Sequence, residues 1–186
     1  MTTTVVELDA DRVDALARFF ADLGEGDLTF VKEDVSGPEA VRGWMRPGRQ
    51  WLALDDEDDE DGEDGGEVAG FVAVLPLHGW SDHVGEIRLV VHPRHRGAGL
   101  GRTLARHALR RALDQGLRKV VVEVVADQEA LLAMFSGLGF TGEALLTDHV
   151  RDREGGLHDL VVLAHHVEAT AEAMRAIGLE EEIAPQ

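Results

Sequence analysis

The chain has no cysteine and no tyrosine among its 186 residues, only two lysines and five prolines, and 5% aromatic side chains. Without cysteine it can form no disulfide, offers no thiolate nucleophile and builds no cysteine-ligated metal site. Without tyrosine it has no phenol to donate a proton. No stretch approaches the roughly 20 consecutive apolar residues that a membrane helix needs, and the opening MTTTVVELDADR lacks the basic start and apolar segment of a secretory leader. The expectation is a cytoplasmic protein with no membrane partner.

Positive charge is scarce as well. Eighteen Lys and Arg face 36 Asp and Glu, a formal net charge of −18, which repels a nucleic-acid backbone and suits a neutral or cationic partner. Ten of the acids lie between Asp55 and Glu67 without one base, and the rest of the chain carries −8. That run, with Gly62, Gly65 and Gly66, cannot bury anything and is expected to be a mobile loop joining two strands. The length fits one domain, expected over residues 1–167 with the acidic loop at 55–67, followed by a C-terminal helix and tail over 168–186.

Strand-forming TTTVVEL leads to Asp9, a capping residue for a helix over about residues 10–23 whose Val13, Leu16, Ala17 and Phe20 share one face. Pro38 suits the first turn of a short helix that ends before Pro47 and Gly48. Strands follow at about 50–54, 68–75 and 85–91, then a helix over about 100–115. Leu100, Leu104, Ala108 and Ala112 form its apolar stripe, and Arg102, Arg106, Arg110 and Arg111 its solvated side. Residues 119–125 read as a strand covered on both faces, Asp127 as the cap of a helix to about 138, and residues 144–151 and 157–165 as a closing hairpin. This order describes a mixed α/β sheet with helices between its later strands, not a uniformly parallel doubly wound one.

The most informative stretch is Glu86 to Leu104, EIRLVVHPRHRGAGLGRTL, in which a strand passes through a cationic turn and glycines into a helix. Gly97, Gly99 and Gly101 let backbone N–H groups crowd an anion, the helix adds the positive end of its dipole, and Arg94, Arg96 and Arg102 add full charges. The arrangement suits a phosphate. A tight turn into a helix is the plain alternative. A dinucleotide site, the nearest rival, expects G-x-G-x-x-G directly after a strand, whereas here His92 to Arg96 intervene and the spacing is G-x-G-x-G, although Glu123 could stand for its ribose-binding acid.

Val91, His92 and Pro93, followed by Arg96, Gly97, Ala98, Gly99, Leu100 and Gly101, resemble the V-x-P…[QR]-G-x-G-[IL]-G signature of the GNAT N-acetyltransferase superfamily. Met134 to Phe140 lies where members carry a leucine-tyrosine pair followed by x-x-x-glycine-phenylalanine. The resemblance covers roughly residues 68–167. It implies a GNAT-like mixed sheet of about seven strands flanked by helices, splayed in the middle between the strands ending at Val91 and Val125, with acetyl coenzyme A in the gap. It further implies that the diphosphate sits on Arg96, Gly97, Ala98, Gly99, Leu100, Gly101 and Arg102. The backbone of Leu89, Val90 and Val91 would pair with the pantetheine arm, and Gln128 and Phe135 would lie at the cofactor site. The implied activity is an acyltransferase that moves an acetyl group from acetyl-CoA to a primary amine, on a small molecule or a protein, by direct attack in a ternary complex.

An amine of pKa about 10.4 is almost wholly protonated at neutral pH, so N-acylation needs a base or a desolvating pocket. Glu86 begins the strand that would present the thioester and matches the position of a catalytic glutamate in several members; an ion pair with Arg88 on the same face is the plain alternative. Glu123, a carboxylate inside VVVEVV, is the second catalytic candidate, costly to bury unless paired or used chemically. The tyrosine that protonates the departing thiolate in the family is replaced by Phe135, so a thiolate whose thiol has a pKa of about 8.5 must leave without it. A backbone N–H near Val90 would steady the oxyanion. The replacement motivates an alternative, a catalytically weak acyl-CoA-binding regulatory module. His78, His83, His149 and His158 read as surface or strand histidines, and no metal is expected. Strand edges and the terminal helix, with Val167, Ala171 and Met174 on one side, leave a homodimer open.

Overall fold

A computed structural model describes residues 3–28, 31–55 and 66–167. Most of the expected acidic loop, and all of the expected C-terminal helix and tail over 168–186, lie outside the described residues. Along the chain come β1 (Thr3–Glu7), α1 (Val13–Ala21), α2 (Glu25–Leu28), α3 (Pro38–Trp44), β2 (Gln50–Asp55), β3 (Glu67–Pro76) and β4 (Val84–Val91). After them come α4 (Leu100–Asp114), β5 (Lys119–Val125), α5 (Glu129–Ser136), β6 (Thr141–Arg151) and β7 (Leu157–His166).

The strands form one mixed sheet in the order β1-β2-β3-β4-β5-β7-β6. β1 and β2, β2 and β3, and β5 and β7 pair antiparallel, while β4 and β5 pair parallel. The mixed α/β sheet of seven strands flanked by helices is thus the architecture expected. Contacts divide the chain into two compact units. Among the described residues, one comprises 3–73, 88–104 and 151–157, the other 74–87, 105–150 and 158–167.

In the first unit Asp9 caps as expected, but its carboxylate accepts from the N–H groups of Asp11 and Arg12 and closes a 3-10 turn, so α1 starts only at Val13. Val13, Leu16, Ala17 and Phe20 are buried, and Phe19 joins them. Phe20, Trp44 and Phe71 meet edge to face with centroids 5.8–6.2 Å apart. Gly70 of β3 is a point of close approach. A Cβ there would stand 2.8 Å from Leu104 Cδ1 and 3.2 Å from the Val90 carbonyl oxygen, so the bare residue lets Leu104 of α4 lie close on β3.

In the second unit β5 departs from the expected cover on both faces. Val120, Val122 and Val124 are buried, while Lys119, Val121 and Glu123 are half-buried, the alternation of a strand with one fully covered face. Gln128, not Asp127, precedes the first turn of α5, because its carbonyl accepts from the N–H groups of Leu131 and Leu132. Asp127 bonds His158 instead, at 3.0 Å. Among the described residues no helix is long and apolar enough to cross a membrane.

Candidate active site

The glycine bend lies in the first unit. β4 ends at Val91, Pro93–His95 form a 3-10 turn, and the chain passes through positive φ at Gly97 (79°) and Gly99 (89°) before α4 opens at Leu100. These φ values are open to glycine and strained for other residues. Among the described residues, a Cβ built on either glycine meets no atom within 4 Å. Arg96, Gly97, Ala98, Gly99 and Arg102 are exposed, Gly101 is half-buried, and buried Leu100 anchors the helix start. The first N–H groups of α4 have no partner within the helix. Bare backbone, the first N–H groups of a helix and its dipole end together fit an anion such as a diphosphate.

Arg94 and Arg96 of the bend are not bare. Arg94 bonds Asp22 at 2.6 Å and Glu67 at 3.1 Å. Arg96 bonds Asp27 at 2.6 Å and gives its Nε–H to the Val91 carbonyl at 3.1 Å. The hydrogen bond and charge of Arg94 hold the Asp22 carboxyl below its usual range, with a smaller contribution from His92. Leu89, Val90 and Val91, on the last turn-free stretch of β4, are half-buried. Arg88, expected to face Glu86, forms an ion pair with Glu33.

The remaining candidates lie in the second unit. The parallel ladder sets Val84, Gly85 and Glu86 of β4 opposite Lys119, Val120 and Val121 of β5. Glu86 and Val121 therefore share a face, and Glu123, two residues on, shares it too. Strand spacing and rise put the two glutamate Cα atoms about 8 Å apart. Both side chains are half-buried. Gln128 is half-buried at the start of α5. Phe135 is fully buried, its ring edge to face with Phe140 at 5.0 Å, and Phe140 in turn lies 5.1 Å from His165. A phenyl ring in that packing offers shape but no proton.

Sequence reasoning missed the carboxylates Asp22, Asp27 and Glu67, which reach the bend from α1, α2 and β3, and the buried imidazoles of His92 and His95 within it. His92 was legible only as the middle residue of V-x-P. No local signal marks the carboxylates among so many.

Comparison with known proteins adds three findings. The profile of the acetyltransferase (GNAT) family matches residues 21–140. Mycothiol acetyltransferases of Paenarthrobacter aurescens and Amycolatopsis mediterranei are 36% and 40% identical over 119 and 123 residues, covering 62% and 63% of this chain and 33% and 37% of theirs. The chain thus spans about a third of the length of the curated relatives it matches. A Salmonella typhimurium protein whose structure was determined with its cofactor acetyl-CoA superposes with a TM-score of 0.71 at 18% identity, over 90% of this chain and 95% of that one. At that identity the likeness speaks for the fold.

Proposed function

The chain belongs to the acetyltransferase (GNAT) family, and from that premise we propose that it is an N-acetyltransferase that moves an acetyl group from acetyl-CoA to a primary amine. The observation that carries the reading is the open bend at Gly97 and Gly99, where positive φ, bare backbone and the start of α4 coincide. Arg96, Gly97, Ala98, Gly99, Leu100, Gly101 and Arg102 would hold the diphosphate. The main chain of Leu89, Val90 and Val91 would pair with the pantetheine arm, and Gln128 and Phe135 are proposed as further cofactor-binding residues. The donor substrate supplies an activated thioester carbon, so that the amine nitrogen forms its bond there as the carbon–sulfur bond breaks and the thiolate leaves.

Glu86 and Glu123 share one half-buried sheet face, a setting in which a carboxylate can relieve an incoming ammonium of its proton. Glu86 is the preferred base, because it lies on the strand whose backbone would hold the thioester arm. A net charge of −18 favours a cationic acceptor on approach. The protein is proposed to work in the cytoplasm, without nucleic acid or membrane, and a homodimer is compatible with its exposed edge strand β6.

A second reading, an acyl-CoA-binding module with little turnover, draws on Phe135, whose buried ring cannot protonate a leaving thiolate. The experiment that separates the two is coenzyme A release measured with a panel of primary amines. Release with any of them supports the enzyme. Tight coenzyme A binding without release supports the module.

A further inference from the structure

We propose that His92 is a positioning residue for the glycine bend: held as a neutral imidazole it ties the Pro93–His95 turn to the end of α1, and protonating it releases the bend. The proposal rests on the reading of that bend as the diphosphate site.

The ring is 5% exposed. Its Nδ1 accepts the Arg94 backbone N–H at 3.3 Å, and its Nε2 lies 3.1 Å from Asp22 Oδ2. A backbone N–H can only donate and an ionised carboxylate can only accept, so the lone pair is on Nδ1 and the proton on Nε2. The main chain of His92 is fixed as well, its N–H on the Ala69 carbonyl at 3.0 Å and its carbonyl accepting from His95 N–H at 2.9 Å. Five residues later the chain must enter the left-handed region at Gly97. His92 therefore fixes the backbone of the turn through Arg94 N–H and, together with the Arg94 guanidinium, ties it to Asp22 at the end of α1 before the glycines begin.

The imidazolium would set Nδ1–H against Arg94 N–H, donor against donor, and lose a buried hydrogen bond. The charges facing the ring are those of Asp22 at the end of α1 and of Arg94 and His95 in the turn. Glu67 of β3 acts through Arg94 at 3.1 Å, and Asp55 of β2 through His95 at 3.5 Å. Phe19 of α1 covers the ring at 6.0 Å. Asp22 favours the imidazolium, but its carboxylate is already bonded to the Arg94 guanidinium at 2.6 Å.

Coenzyme A affinity is measured by calorimetry between about pH 5.5 and 8, the range in which an imidazole can change charge, for the wild type, His92→Asn and His92→Ala. The asparagine Oδ1 reproduces the Nδ1 acceptor and does not titrate. The wild type is expected to lose at least about threefold in affinity on the acid side, and His92→Asn to stay within about twofold of it at neutral pH without the acid loss. His92→Ala should be about tenfold weaker throughout, one hydrogen bond's worth. An acid loss in His92→Asn equal to that of the wild type overturns the proposal.

Long-range nitrogen–proton spectra of the protein alone read the ring directly. The expected result is an Nε2-protonated ring whose titration the Gly97 and Gly99 amides follow. An Nδ1-protonated ring, or amides that move identically in His92→Asn, overturns the proposal. A protein that ignores coenzyme A overturns the functional reading instead, and these spectra then decide the role of His92.

Discussion

Asp27 of α2 holds Arg96 of the glycine bend at 2.6 Å across 69 residues of sequence. A diphosphate arriving at the bend therefore meets a guanidinium that already carries a carboxylate, and must displace or share it. Asp27→Asn removes that competing charge and keeps the shape of the side chain. Partly exposed ion pairs contribute about 0.2–1 kcal/mol, so the Kd for coenzyme A should fall by about 1.4- to fivefold in calorimetry at low salt, where the exchange is least screened. A weaker affinity would mean that Asp27 places Arg96 for the ligand and does not compete with it.

Gly99 adopts φ 89° with open space where a side chain would go, so a substitution there acts through the backbone and not through a clash. Gly99→Val is expected to weaken coenzyme A binding more than tenfold while costing the fold about 1–3 kcal/mol of strain. Gly48 is the control, with φ 70° and equal space but on a turn remote in sequence from the bend. Gly48→Val should show a comparable loss of melting temperature with coenzyme A affinity intact. Equal affinities in both variants would detach the bend from ligand binding.

Glu86→Gln should lower kcat by about a hundredfold, remove the acid limb of kcat/KM and leave the coenzyme A Kd within about twofold, as loss of a general base requires. Glu123→Gln, two residues past the partner of Glu86 on the same face, should change kcat much less. If the pH profile of Glu86→Gln matches the wild type while that of Glu123→Gln loses its acid limb, the two roles exchange.

The features legible in the sequence are those whose cause is local. β5 occupies the expected residues 119–125 because a β-branched run carries its own strand preference, and Gly97 and Gly99 take positive φ because a strand must turn sharply into a helix there. The buried stripe Leu100, Leu104, Ala108 and Ala112 follows from helical period alone. What stayed hidden depends on residues far along the chain. Nothing near Asp22 or Asp27 says that each will neutralise an arginine about 70 positions later. The valines of β5 do not reveal that one face is only half covered, since the cover comes from other elements. Gly70 reads as a gap in a strand until Leu104 is seen to need the space. α2, four polar-rich residues, has no periodicity to detect.

His107, half-buried on α4, accepts from Arg111 Nε at 3.4 Å, and burial, with the nearby charges of Arg111 and Arg110, pushes its pKa down to about 4. Unfolding restores the ordinary value of about 6.5. Between those values the unfolded chain binds a proton that the folded one refuses, so the contribution is fully present above about pH 6.5 and is lost as pH falls towards 4. Screening at a partly exposed ring limits the loss to about 1–2 kcal/mol, or about 3–6 °C in Tm for a chain of this size. Carboxylates titrate in the same range, so the readout is the difference between the wild type and His107→Gln, which cannot protonate. The wild type should lose those degrees relative to the variant between about pH 7 and 4.5. Parallel curves would mean that the ring takes up its proton equally well in both states, which the Arg110 and Arg111 charges beside it oppose.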